Sequence, residues 1–228
     1  MLPLKDLNRP LTAPHVNRML LIANIIIFLI YWLSVEEIFF PAKIAEQIEA
    51  KFIMIPQQIM RGQRLYTLIT SMFMHANWLH LIGNMLFLYI FGDNVEDVFS
   101  HGGYFAFYII CGLIAAFFHI ISMCIGLAPQ GFNAGVVGAS GAVSGVLGAY
   151  FVLYPKARLL AWVFYFVLPI PALIFLGFWF LMQWFYGFFN IYSGVAYWAH
   201  IGGFITGMIL ALTFGLKRKK ARYSKLRL

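Results

Sequence analysis

Val136-Val137-Gly138-Ala139-Ser140-Gly141-Ala142-Val143-Ser144-Gly145-Val146-Leu147-Gly148-Ala149-Tyr150-Phe151-Val152-Leu153-Tyr154 runs for 19 residues without a charge. A bilayer core takes about 20 apolar residues as one helix, so the stretch has the length and character of a membrane crossing. Gly141 and Gly145 stand four apart, and Gly203 and Gly207 repeat the spacing further on. Small residues at this interval let membrane helices bring their backbones close. The two segments are expected to pack tightly on each other.

The rest of the chain is of the same kind. Of its 228 residues, 62% are apolar and 11% charged, where a soluble domain carries about a quarter charged. Further apolar runs cover residues 19–35, 68–91, 104–127, 171–189 and 195–216. With residues 136–154 they predict an all-α membrane protein of six transmembrane helices and leave no length for a large extramembrane enzyme domain. Residues 159–168 are apolar too, but stop at Pro169 and Pro171 after too few residues to span, which reads as an interfacial or re-entrant segment. Pro171 suits the first turn of the fifth helix. Glu36 and Glu37 follow the first run where a signal peptide would need small residues, so that run is read as a retained helix. Cys111 and Cys124 are 13 residues apart in one run, about 20 Å along a helix and beyond disulfide reach.

Lysine and arginine counts orient the bundle. Three precede the first helix, two lie between the fourth and fifth, and seven follow the sixth, against four in the first loop, residues 38–66. The bias of 12 to 4 places both termini in the cytoplasm. The acidic connection at residues 92–100 is then cytoplasmic, and the first loop, mixing apolar and charged residues, reads as amphipathic at the outer interface. The domain plan is a cytoplasmic segment 1–18, a six-helix domain 19–216 and a basic tail 217–228. The net charge of +8 owes much to that tail. Without an accompanying aromatic platform it reads as a topology anchor near anionic lipid rather than a nucleic-acid site.

Polar groups inside a membrane are costly and need a partner or a task. His80 and Asn84, spaced i, i+4, share one face early in the second helix. Ser140 starts the fourth helix, and His200 lies early in the sixth. On this topology all four fall in the outer half of the membrane, within roughly 10 Å of depth. Each alone is commonly helix glue or a serine bonded to its own backbone. Together, serine, histidine and a pair of donors make the minimum set for acyl transfer: nucleophile, general base and oxyanion stabilisers. No Asp or Glu inside a span is available to orient His200, so a dyad is expected rather than a triad. Gly138 and Gly141 let backbone approach a substrate, and the helix N-terminus offers amides and a favourable dipole. The sequence lacks His-Glu-x-x-His, His75 and His80 are off one face by their i, i+5 spacing, and no embedded carboxylate pair exists. Metalloprotease, zinc and aspartyl chemistries are therefore set aside, and no cofactor is expected.

Gly138-Ala139-Ser140-Gly141, His200 followed by Gly203 and Gly207, and His75, His80 and Asn84 resemble the rhomboid intramembrane serine proteases over residues 67–207. The resemblance implies a six-helix core, Ser140 as nucleophile and His200 as general base. It further implies His80, Asn84 and the Ser140 amide as oxyanion donors, with His75, Gly138, Gly141, Gly203 and Gly207 supporting. The implied partners are transmembrane protein substrates within lipid, and the implied reaction is peptide-bond hydrolysis in or near their spans. Tyr66 and Thr67 stand where the family often has Trp-Arg, which leaves either Arg64 as a substitute or a first loop that packs differently. Ser144 stands where some members carry an aromatic that stacks on the histidine, leaving another group such as Trp198 or Tyr197 to position that ring.

A substrate helix that satisfies its own backbone shields its carbonyls, so glycine or proline near the cleaved bond is expected. Residues 178–185 read either as a lateral gate or as an aromatic lipid-facing belt. A prokaryotic plasma membrane is the expected location, given no transit peptide. The competing class is a non-catalytic binding scaffold or transporter, but neither repeat symmetry nor midplane-broken helices are evident.

Overall fold

The computed structural model describes residues 1–128, 131–189, 191 and 194–224. The chain is mostly helical: α1 (His15–Val35), α2 (Ala42–Phe52), α3 (Pro56–Met60), α4 (Thr67–Thr70), α5 (Trp78–Phe99), α6 (His101–Cys124), α7 (Ser140–Leu153), α8 (Ala172–Phe188), α9 (Tyr197–Leu210) and α10 (Leu216–Ser224). Three helical stretches are long and apolar enough to cross a membrane, His15–Val35, His101–Cys124 and Tyr197–Arg222, the last running through a π-helical turn at Ala211–Gly215. α7 and α8 are apolar and shorter.

The expectation of an all-α chain is corrected by a three-stranded antiparallel sheet of β1 (Leu2–Asp6), β2 (Arg158–Val163) and β3 (Phe166–Pro171) in the order β1-β2-β3. Residues 159–168 thus form most of a hairpin. They are too few for a crossing, and an apolar run of that length is a strand as readily as a helix. Leu159 and Ala161 of β2 turn inward and are fully buried. Asp6 at the end of β1 accepts from the Tyr150 hydroxyl at 2.5 Å and from Asn94 Nδ2 at 2.9 Å.

The segment expected as one helix over residues 68–91 is broken. α4 and a 3-10 turn (Ser71–Phe73) end at Met74, and α5 restarts behind Asn77, whose side chain accepts from His80 N at 2.8 Å. Asn is a preferred N-cap because its oxygen satisfies an orphan amide of the first turn. At the far end α5 continues through the acidic residues read as a connection. Glu96 and Asp97 are buried, which is tolerable only because both are paired. Glu96 accepts the first-turn amides of α1, Val16 N at 3.0 Å and Asn17 N at 2.7 Å. Asp97 accepts from Thr12 N and Oγ1 and from Arg222 Nη2.

The start of the basic tail is engaged with the bundle. Arg218 Nη1 donates to Phe99 O at 2.6 Å and Lys219 Nζ to Leu153 O at 2.5 Å. These are the last residues of α5 and α7, where cations offset the helix dipole and satisfy orphan carbonyls. Residues 225–228 of that tail lie outside the described residues. The amphipathic reading of the first loop takes form as α2, with Ala45 buried and its charged side chains exposed.

The core sits between α5, α6, α7 and α9, and the glycine spacing is realised there. A methyl on Gly203 would overlap the Gly141 carbonyl, one on Gly207 the Gly145 carbonyl, and one on Gly148 the Phe204 carbonyl. Backbone therefore lies against backbone along the α7–α9 seam.

Candidate active site

α7 begins later than the apolar run, at Ser140, because Gly138 adopts φ +124, which a side chain would strain. The approach to Ser140 is pinned by bonds to the first loop and to the 3-10 turn after α4: Val136 N to Met54 O at 2.8 Å, Gln57 N to Phe132 O at 3.0 Å and Gly138 N to Ser71 O at 2.9 Å. Ser140 is the first helical residue, so its amide and those of Gly141 and Ala142 point out of the helix without intrahelical acceptors. The Ser140 hydroxyl opens on a cavity of about 790 Å³.

His200, one turn into α9, lines the same cavity. Its Nδ1 lies 2.8 Å from Oε1 of Gln183 on α8. Gln183 Nε2 in turn donates to Trp179 O at 3.4 Å, which turns the amide oxygen toward the ring. That oxygen only accepts, so Nδ1 carries the proton and Nε2 keeps its lone pair. Among the described residues no hydrogen bond joins Ser140 Oγ to His200. Catalytic bonds are often open without substrate.

His80 and Asn84 line the cavity from α5. A Cβ on Gly138 would stand 2.7 Å from His80 Nε2 and 3.6 Å from Ser140 Oγ, so imidazole and hydroxyl flank one point. Asn84 is buried, and its Nδ2 has no partner among the described residues. Gly138 and Gly141 line the cavity as well, whereas His75 sits behind it, buried edge-on to His80 with ring centroids 5.1 Å apart. Gly203 and Gly207 belong to the α7–α9 seam.

The structure also places the residues expected to support the site. Trp198 does not hold the histidine, since its Nε1 donates to Leu127 O at 3.0 Å. Tyr197 stands edge-on to His200 at 6.5 Å, and Trp179 lies nearer at 6.0 Å. Ser144 Oγ donates to Ser140 O at 2.6 Å, within its own helix. Thr67 is buried and donates to Arg64 O, while the Arg64 guanidinium reaches Gln58. Sequence reasoning missed Gln183 and also His119, a buried α6 histidine on the cavity wall. The available signal was polarity at helical spacing. Phe175, Trp179 and Gln183 recur every four residues on the inward face of α8, while Phe178, Leu181, Trp184 and Phe185 face outward.

A sequence profile of the Rhomboid domain matches residues 62–217, and the chain belongs to the rhomboid family. Rhomboid protein 1, mitochondrial, of Saccharomyces cerevisiae is 29% identical over 161 residues, 70% of this chain and 45% of that protein. RHOMBOID-like protein 12, mitochondrial, of Arabidopsis thaliana is 31% identical over 131 residues, 53% of this chain and 38% of the relative. Rhomboid-like protein 11, chloroplastic, of the same plant is 42% identical over 81 residues, 36% and 26% of the two chains. The chain thus spans less than half the length of these relatives. The protein is membrane-embedded, and relatives named for mitochondria and chloroplasts give no support to the expected prokaryotic plasma membrane.

Proposed function

We propose that this chain is an intramembrane serine endopeptidase that cleaves other membrane proteins in or near their transmembrane segments. Ser140 is the nucleophile and His200 the general base. Family membership supports the reaction class. The observation that carries the assignment is the shared cavity: a serine at a helix N-terminus and an imidazole with Nδ1 engaged and Nε2 open face the same space.

In the proposed reaction His200 Nε2 takes the Ser140 hydroxyl proton as Oγ attacks the substrate carbonyl carbon. The tetrahedral oxyanion is met by the Ser140 amide at the positive end of α7, by Asn84 Nδ2 and by His80. Collapse breaks the C–N bond, and His200 returns the proton to the leaving amine. Water, deprotonated by His200, then attacks the acyl ester, and the carboxylic acid departs with Ser140 restored. α1, α5, α6, α7, α8 and α9 serve as six spans with both termini cytoplasmic, within the plan of segment 1–18, domain 19–216 and tail 217–228. At about 21 Å for 14 residues, α7 suits a helix that begins below the outer surface.

Labelling of purified wild type, Ser140→Ala and His200→Ala with a fluorophosphonate probe, beside cleavage of a transmembrane reporter, tests the assignment. Loss of both signals in both folded variants is expected. A folded wild type that neither labels nor cleaves would move the function to membrane-protein binding or transport.

A further inference from the structure

The β2–β3 hairpin lies outside the site, and its chemistry is unlike that of a solvent loop. From Leu159 to Pro171 the chain carries no charged residue and, apart from the Tyr165 hydroxyl and the Trp162 ring nitrogen, no polar side-chain group. Only one face of β2 is buried. Phe164 and Tyr165 at the tip are 88% and 93% exposed, and Trp162, Phe166, Val167 and Leu168 are exposed beside them. Val163 pairs with Phe166, so Phe164 and Tyr165 form a two-residue turn, with Phe164 at φ +52. A positive φ at the first central position favours glycine there, since it crowds a bulky side chain. The tip keeps the Phe164 ring against that steric preference, with Tyr165 beside it.

In water this surface would be an aggregation site. Its surroundings point to a different medium. β3 ends at Pro171, where α8 starts, and Leu173 and Ile174 of α8 are exposed too, so the apolar surface continues from the hairpin onto a helix of the bundle. Leu2 and Leu4 of β1 add to it. The charges exposed around the base of the sheet, Lys5, Arg9, Lys156 and Arg158, are all positive, while the neighbouring Asp6 is engaged with Tyr150 and Asn94. Aromatic rings concentrate at the boundary between headgroups and acyl chains, and lysine and arginine are drawn to anionic headgroups.

We propose that the hairpin is a lipid anchor. Its Phe164-Tyr165 tip enters the leaflet on the side of the chain termini, and Lys5, Arg9, Lys156 and Arg158 engage anionic headgroups around it. The inference is independent of catalysis.

The test uses the full chain reconstituted in phosphatidylcholine vesicles with and without phosphatidylglycerol. An environment-sensitive label is placed through Tyr165→Cys in a Cys124→Ser background, with Leu168→Cys as a second position should the first variant fold poorly. Nitroxides on the lipid acyl chains are expected to dim the label several-fold while aqueous iodide leaves it nearly unchanged, and the anionic lipid is expected to strengthen the lipid quenching. Ready quenching by iodide would overturn the proposal by placing the tip in water. Shielding from both quenchers would overturn it in favour of a second copy or another protein covering the hairpin. Equal lipid quenching with and without phosphatidylglycerol would overturn the role given to the four basic residues.

Discussion

Oε1 of Gln183 on α8 sits 2.8 Å from Nδ1 of His200 on α9, across the cavity wall from Ser140. On the proposed mechanism the contact takes the place where soluble serine proteases put a carboxylate, and supplies the part of that role that needs no charge: it fixes the tautomer and the ring plane. Gln183→Leu removes the acceptor at similar volume. On the proposed mechanism kcat for a transmembrane reporter should fall about tenfold or more, with KM little changed and fluorophosphonate labelling slowed in parallel. Gln183→Glu, which keeps an acceptor, should retain much more activity. Equal kcat in wild type and Gln183→Leu would remove Gln183 from the mechanism.

The α7–α9 seam offers a test of packing apart from chemistry. A methyl at Gly207 has no room beside the Gly145 carbonyl, and backbone cannot rotate away as a side chain can. Gly207→Ala should cost about 1–3 kcal/mol, read as a lower unfolding midpoint in detergent, and should lower activity by shifting His200 against Ser140. Gly102→Ala, at a glycine with open space around it, is the control and should unfold like wild type.

What the sequence made legible follows the range of the forces involved. α1 and α6 announce themselves by long uncharged runs, and Ser140, His80, Asn84 and His200 stand out because polar groups in such runs need a reason. The hairpin stayed hidden because an apolar run of ten residues carries no periodicity that separates strand from helix, and because the N-terminal strand that pairs with it lies over 150 residues away. Glu96 and Asp97 looked like a solvated connection because their partners, the start of α1 and Arg222, are also remote, 79 to 125 residues away. Gln183 was passed over inside a string of aromatics, where only the every-fourth-residue rhythm with Trp179 marks its inward face.

Asn84 brings a donor with no protein acceptor among the described residues into the cavity beside Ser140. On the proposed mechanism it acts on the oxyanion and not on the ground state. Asn84→Ala should lower kcat by roughly 10²-fold with KM nearly constant, the size seen when one oxyanion donor is lost. A change confined to KM would assign Asn84 to substrate binding instead.

Asp6 supplies a pH signature at the opposite end of the bundle. Burial pushes its carboxyl above the ordinary value of 3.8, against the opposing hydrogen bonds from Tyr150 and Asn8. A carboxyl raised in the folded state binds its proton more tightly there than in the unfolded chain. Its contribution to stability is therefore fully present below pH 3.8 and is lost as pH rises through the folded value. Wild type minus Asp6→Asn unfolding midpoints, measured across that window, should decline as pH rises. A difference that stays flat with pH would show that Asp6 titrates alike in both states.

Glu96 ties the start of α1 to the end of α5. Its two oxygens accept from Val16 N and Asn17 N, and Oε1 also contacts His101 Nδ1 at 2.5 Å. Pro14 precedes α1 without a capping side chain, so Glu96 does the capping from 80 residues away, and its charge faces the positive helix end. Glu96→Ala should strand those amides in a buried place at a cost of about 1–3 kcal/mol, while Glu96→Gln, which keeps one acceptor oxygen, should lose less. The cavity with Ser140 lies at the opposite end of α5, some 24 Å away by helix rise from His80 to Glu96. Per folded molecule, then, fluorophosphonate labelling should be unchanged in both variants even as their unfolding midpoints fall. A labelling loss in folded Glu96→Gln would mean that the two ends of α5 are coupled more tightly than their separate hydrogen-bond networks imply.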